Sequence, residues 1–339
     1  MKHWVSMTDW TPGEVVGLLD RAAALKAGSA AKGIPGKILI ALFFNPSLRT
    51  RVSFEAAMHR FGGHVITLSP GADAWRLEFA DGALMDGDRA EHVKEAARVL
   101  SRYGDALAVR SFAGLQEFEA DQRDEVIHSF RRHATVPVIN MESAVEHPCQ
   151  GVADVLTIRE KLDAAPGRHF VLTWAPHVNP LALAVPHSAA IGAAYLGMNV
   201  TIARPAGYDL APRVMQLVET ICRENGATLT ITDHQRGACA EADVLYVKSW
   251  GATALYGDKE QQRAQFRALA GWCVGPEHLN DRAILMHCLP VRRNVVIADA
   301  ALEGPQSVVI DQAENRLWTQ AAILENLFSE ADTHGPSTP

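Results

Sequence analysis

The 339-residue chain has no apolar run of the 18 or so residues that a bilayer span requires, and its start, Met1-Lys2-His3-Trp4, lacks the apolar core of a signal peptide. A cytoplasmic location with no membrane partner is the expectation. C-x-x-C pairs are also missing. The five cysteines, Cys149, Cys222, Cys239, Cys273 and Cys288, are odd in number and widely spaced, so neither a disulfide framework nor a zinc knuckle is indicated and free thiols are expected. No basic block offsets the net charge of −7, which argues against a nucleic-acid partner and means that an anionic ligand needs a local cationic pocket. Neither a glycine-rich dinucleotide fingerprint nor a Gly-Lys-Ser/Thr run is present, so the usual nucleotide cradles are absent. There is no internal repeat beyond a shared architecture of the two halves.

What is present is an ordinary globular composition, 48% hydrophobic and 21% charged, in a chain long enough for two domains. Apolar runs at Ile38–Leu42, His64–Leu68, Ala106–Arg110 and Val136–Asn140 alternate with helical patterns such as Val52–Phe61, Glu91–Tyr103 and Asp121–Arg132. The alternation repeats after Gly167, with strands expected at Phe170–Trp174, Asn199–Ala203, Thr228–Thr232, Ala242–Lys248, Ile284–Pro290 and Val308–Asp311. Alternation of this kind predicts an α/β fold of two doubly wound parallel-sheet domains with a ligand cleft between them. The boundaries are drawn at 1–150, 151–315, a C-terminal helix 316–330 returning to the first domain, and a disordered tail 331–339.

Chemistry gathers at strand ends. Between a buried strand and a helix lies Asn45-Pro46-Ser47-Leu48-Arg49-Thr50-Arg51, where hydroxyls, guanidinium forks and unpaired helix-start N–H groups can hold an anion. The plain alternative is a solvated turn with a helix cap. Arg110 ends another strand, on the side where parallel sheets bind ligands, and Glu146-His147-Pro148-Cys149-Gln150 puts an imidazole and an amide at a helix start. Ser69–Asp88, with Trp75 beside Arg76, reads as a long functional loop. A metal or cysteine-nucleophile reading of His147, Cys149, His287 and Cys288 lacks acidic orienters and ligand spacing.

Ser47-Leu48-Arg49-Thr50-Arg51, His147-Pro148-Cys149-Gln150 and His287-Cys288-Leu289-Pro290 together resemble the aspartate/ornithine carbamoyltransferases in order and spacing. The likeness extends from the first helix to the last. Asp73-Ala74-Trp75, Met85-Asp86-Gly87-Asp88, Lys248-Ser249-Trp250, Pro290-Val291-Arg292-Arg293-Asn294 and Glu314-Asn315-Arg316 are similar to the branch that uses N-acylated ornithine. The resemblance implies a carbamoyl-phosphate site of Ser47, Leu48, Arg49, Thr50, Trp75, Arg110, His147, Gln150, Cys288, Leu289 and Arg316. Arg110, His147, Gln150, Cys288 and Arg316 surround the reacting carbamoyl group in that site. It also implies an acylornithine site of Glu142, His177, Lys248, Ala90, Arg292 and Arg293. Further implications are a homotrimer in which Trp75 reaches a neighbouring subunit, a place in arginine biosynthesis, and chemistry that needs no metal or cofactor. A trefoil knot is implied too, with the chain after Lys248 passing through the loop Ala175–Ser188.

The acyl group turns on two positions. Acetyl-specific relatives carry a glutamate where this chain has Ala90 and a lysine where it has Val296, whereas succinyl-specific relatives have proline and an aliphatic residue there. A glutamate repels a succinyl carboxylate, and Ala90 removes that charge, with Arg292 or Arg293 near in sequence to offer a cation. N-Succinylornithine is the favoured acceptor and N-acetylornithine the alternative. A non-catalytic, carbamoyltransferase-like binding protein is a further alternative, against which the intact set Arg49, Thr50, Arg110, His147, Gln150 and Arg316 speaks.

Overall fold

The computed structural model describes residues 1–333, and its chain divides into two compact units. The first comprises Met1–Ala113, Gln122–Cys149 and the chain from Arg316; the second, Gly114–Asp121 and Gln150–Asn315.

Four parallel strands form the sheet of the first unit: β1 (Ile38–Phe43), β2 (His64–Leu68), β3 (Ala106–Arg110) and β4 (Val138–Glu142), in the order β2-β1-β3-β4. β1 and β3 are central, and their unbroken apolar runs match burial on both faces: Leu39 to Phe43 and Ala106 to Val109 are all buried. Helices α1 (Pro12–Lys26), α2 (Arg49–Arg60), α3 (Val93–Tyr103) and α4 (Glu125–His133) belong to this unit. α1 starts where Thr11 and Glu14 form a capping box ahead of an N-terminal proline. Val93, Ala96 and Ala97 of α3 and Ile127 and Phe130 of α4 join β1 and β3 in one core cluster. The expected loop Ser69–Asp88 is interrupted by Leu77–Glu78, which pairs in parallel with Glu91–His92.

Five parallel strands form the second sheet: β5 (His169–Trp174), β6 (Asn199–Ala203), β7 (Leu229–Thr232), β8 (Val244–Lys248) and β9 (Ile284–Met286), in the order β9-β8-β5-β6-β7. Around it run α5 (Pro148–Lys161), α6 (Ala184–Tyr195), α7 (Pro212–Glu224) and α8 (Lys259–Ala268). α6 begins inside the loop expected from Ala175 to Ser188, because Pro186 lies in its first turn, where a missing N–H costs nothing. Ser249 Oγ donates to Pro176 O at 3.2 Å and Gly251 N to Leu181 O at 3.0 Å, so the segment after Lys248 lies against that loop.

Val308–Asp311 is not the strand expected there. Leu285 of β9 bridges Ser307, and the chain then turns into α9 (Val309–Thr333), with Val309 buried and Ile310 72% exposed. Helical structure thus takes in the first residues of the tail expected to be disordered, and the rest of that tail falls outside the described residues.

In each unit the strand order reverses once, between β1 and β3 in the first and between β5 and β8 in the second. Ligands of open parallel sheets bind beyond the carboxyl ends at such a reversal.

Candidate active site

At the reversal of the first unit, Phe43, Arg110 and Glu142 stand side by side across β1, β3 and β4. Arg110 is 7% exposed. Its Nη1 lies 2.6 Å from Glu142 Oε2, and its guanidinium carbon sits 4.5 Å from the centroid of the Phe112 ring. Its Nε is buried and has no partner among the described residues, a donor that a bound anion can satisfy. Beyond β1 the chain turns through Ser47 and Leu48 into α2. Ser47 Oγ accepts from Thr50 N at 3.2 Å, Leu48 is 75% exposed, and Thr50 is buried with its Oγ1 accepting from Arg316 Nη2 at 3.1 Å. Alongside lies an open basin of about 560 Å³, lined by Phe43, Phe44, Pro46, Ser47, Leu48, Arg51 and Ser69–Ala72.

His147 is buried, 3.6 Å from Glu142 Oε2 through its Nε2. Burial, and then the positive charges of Arg316, Arg110 and Arg49, hold it well below the usual imidazole range. A neutral imidazole among three guanidiniums can donate one hydrogen bond to a carbonyl oxygen while the arginines carry the charge of an anion. The structure thus assembles Arg49, Thr50, Arg110, Glu142, His147 and Arg316 in the first unit. Cys149 donates to Asn140 O at 3.3 Å, and burial pushes its thiol up to about 12, so it is an inert core thiol.

Trp75, by contrast, is 69% exposed. Its loop is braced internally: Gly71, at φ 85°, donates to Ala74 O at 2.8 Å, and Arg76 pairs with Asp88 at 2.5 Å. Ala90 is exposed beside Arg89, which pairs with Glu78 at 3.0 Å.

The second unit carries the remaining residues at its own reversal. Lys248 stands opposite Trp174 in register, three residues before His177, and its Nζ donates to Ser249 O at 3.2 Å. His177 accepts from Arg292 Nε through Nε2 at 3.0 Å, which leaves Nδ1–H to donate to Asn179 O at 2.8 Å. Burial, with Lys248 and Arg292 adding to it, lowers its pKa, so this ring too stays neutral. Of the two arginines that sequence offered, Arg293 is engaged by Asp299 at 3.0 Å and Glu303 at 2.5 Å, which leaves Arg292 as the one on His177. Val296 is buried in the core cluster of this unit beside Val274 and Leu302.

Sequence reasoning missed a buried relay. Gln150 Nε2 and Gln312 Nε2 both donate to Asp154 Oδ1 at 2.7 Å, and Gln312 Oε1 accepts from His287 N at 2.9 Å. His287 Nδ1 then accepts from Leu289 N at 2.9 Å, where the backbone is left-handed at φ 53° and the Leu289–Pro290 peptide is cis. The only sequence signal was the i, i+4 spacing of Gln150 and Asp154 on one helix.

Comparison with known proteins bears on this geometry. Residues 2–160 match the family described as aspartate/ornithine carbamoyltransferase, carbamoyl-P binding domain, and residues 182–327 match its Asp/Orn binding domain. The N-acetylornithine carbamoyltransferase of Xanthomonas axonopodis pv. citri is 40% identical over 336 residues, 98% of each chain. The N-succinylornithine carbamoyltransferase of Bacteroides fragilis is 38% identical over 295 residues, 86% of this chain and 87% of that one. A solved N-acetyl-L-ornithine transcarbamylase, in which one glutamate is replaced by alanine and which is complexed with carbamyl phosphate and N-succinyl-L-norvaline, aligns with a TM-score of 0.94. It is 40% identical, and the match covers 96% of this chain and 100% of that one.

Proposed function

Because the chain belongs to the aspartate/ornithine carbamoyltransferase family, we propose that it transfers the carbamoyl group of carbamoyl phosphate to the δ-amine of an N-acyl-L-ornithine. The products are an N-acyl-L-citrulline and phosphate, a step toward arginine. The observation that carries this reading is the set of guanidiniums around His147, with the buried Arg110 Nε unsatisfied.

In this reading Ser47, Leu48 N–H, Arg49, Thr50 and Arg110 hold the phosphate. Arg110, His147, Gln150, Arg316 and the main chain at Cys288 and Leu289 hold the carbamoyl group. The neutral δ-amine attacks the carbamoyl carbon. The new N–C bond forms, the carbonyl becomes an oxyanion, the C–O bond to phosphate breaks, and the departing phosphate takes the amine proton. A buried donor aimed at such an oxyanion is worth about 3 kcal/mol in the transition state. Neutral His147 suits that task, since it gives a hydrogen bond without adding a proton that the leaving phosphate must compete for.

For the acceptor we favour N-succinyl-L-ornithine over N-acetyl-L-ornithine. Ala90 leaves no carboxylate to repel a second anion, and relatives in which one glutamate is replaced by alanine, serine, valine or proline are solved in complex with N-succinyl-L-norvaline. Arg292, His177 and Lys248 supply polar contacts for the amino-acid end. The test is a direct comparison of kcat/KM for ornithine, N-acetylornithine and N-succinylornithine with carbamoyl phosphate. The succinyl compound is expected to win, and a clear preference for N-acetylornithine would reject this choice while leaving the reaction intact.

The reading extends to assembly. Trp75, Leu84 and Met85 are 69%, 82% and 40% exposed along one stretch of chain, which supports a homotrimer in which Trp75 serves the carbamoyl phosphate of a neighbouring copy.

A further inference from the structure

A second cavity, of about 310 Å³, lies in the second unit beside His177. Its apolar wall is Pro176, Val178, Phe266 and Val295, and Arg263 and Arg267 of α8 stand at its rim. Neither arginine pairs with a carboxylate among the described residues: Arg263 puts Nε and Nη2 on the neutral Asn179 Oδ1 at 3.2 and 2.7 Å, and the Arg267 guanidinium makes no polar contact among those residues. Arg292, bonded to His177, and Lys248, bonded to Ser249 O, are likewise without an acidic partner among those residues. Glu277, the acid felt by the cavity's Cys273, is turned to His278 Nδ1 at 3.3 Å. A chain of net charge −7 therefore leaves two arginines in the lining of this cavity, and Lys248 and Arg292 close to the His177 that lines it, without a carboxylate partner among the described residues, while neighbouring Arg293 is paired twice.

Two pairs of cations match two carboxylates. N-Acetylornithine carries one, whereas N-succinylornithine carries a second at the end of a two-methylene arm, which an apolar wall suits. We propose that this cavity is the subsite for the distal carboxylate of the acyl group, with Arg263 and Arg267 as its recognition residues and Lys248 and Arg292 left for the α-carboxylate. The proposal rests on the N-succinylornithine reading above.

The test uses the full-length enzyme and its R267A, R267K and R263A/R267A variants. For each, kcat/KM is measured on N-succinylornithine and on N-acetylornithine at saturating carbamoyl phosphate. The succinyl-to-acetyl ratio is expected to fall about tenfold in R267A and 10- to 100-fold in the double variant, with R267K nearer wild type. Affinity for unreactive N-succinyl-L-norvaline, against N-acetyl-L-norvaline, in the presence of carbamoyl phosphate should fall in parallel, so a variant with poor turnover still reports. A folded double variant whose ratios stay within about twofold of wild type overturns the subsite even if the enzyme prefers the succinyl substrate. A wild-type enzyme that prefers N-acetylornithine overturns the reading beneath it, and the subsite with it.

Discussion

Glu146, next to His147, is half-buried, with its Oε1 accepting from Ser6 Oγ at 2.7 Å. Burial pushes its carboxyl from the ordinary 4.5 up to about 7, against the hydrogen bonds from Ser6 and Met7, and Asp124 and Asp9 push the same way. Between those two values the folded chain holds a proton that the unfolded chain releases. The stabilisation is therefore complete below about 4.5 and is lost as pH rises through 7. E146Q keeps an acceptor for Ser6 and cannot ionise, so it should gain on the order of 3 kcal/mol over wild type on going from pH 4.5 to pH 8. Urea unfolding of both proteins at the two pH values measures this, and parallel pH dependences would count against it. Glu142 invites a second substitution, because its carboxylate already occupies Arg110 at 2.6 Å. E142A frees that guanidinium, so KM for carbamoyl phosphate should fall several-fold while KM for the acylornithine rises. A rise in both would show that Glu142 instead holds Arg110 in its working position.

At the scale of the element, strands with several apolar residues filling both faces were legible. Ala106–Arg110 reads as a buried strand ending on a charge, and it is one. Val308-Val309-Ile310 misleads because three apolar residues suit either structure. What decides is that Ser307 already supplies the bridge to β9, after which only Val309 needs burial. Ser47 to Thr50, Arg110 and His147 were legible because each lies at the end of a recognisable strand or the start of a helix. The relay through Asp154 was not, since Gln312 is 158 residues away and nothing near either residue announces the other. Removing its acceptor tests the relay. D154A leaves the Gln150 and Gln312 amides without their shared partner in a buried site, at a cost of about 3 kcal/mol. It should also lower kcat through the His287–Leu289 turn that Gln312 holds. D154N retains an oxygen for both amides and should lie near wild type in both respects. Equal melting temperature and kcat for D154A and wild type would rule the relay out as a support of the turn.

At the scale of the whole molecule, a Trp75 that contributes to a carbamoyl-phosphate site can do so in its own chain or in a neighbouring copy. In its own chain the indole is 69% exposed, while the arginines around His147 are mostly buried, with Arg110 at 7% and Arg316 at 2%. If Trp75 serves a neighbouring copy, a W75A chain and an R110A chain are each inactive alone yet complementary together. Each site in a mixed trimer takes its arginine from one copy and its tryptophan from the next. In a random equal mixture a site is whole only when a W75A chain supplies the arginine and an R110A chain supplies the tryptophan. That occurs for about one quarter of sites, so co-expressed and co-purified variants should recover about a quarter of wild-type activity. If Trp75 acts within its own chain, every site in the mixture lacks one of the two residues and no activity returns. Light scattering on the same sample fixes the copy number, and a monomer with full activity would exclude sharing altogether.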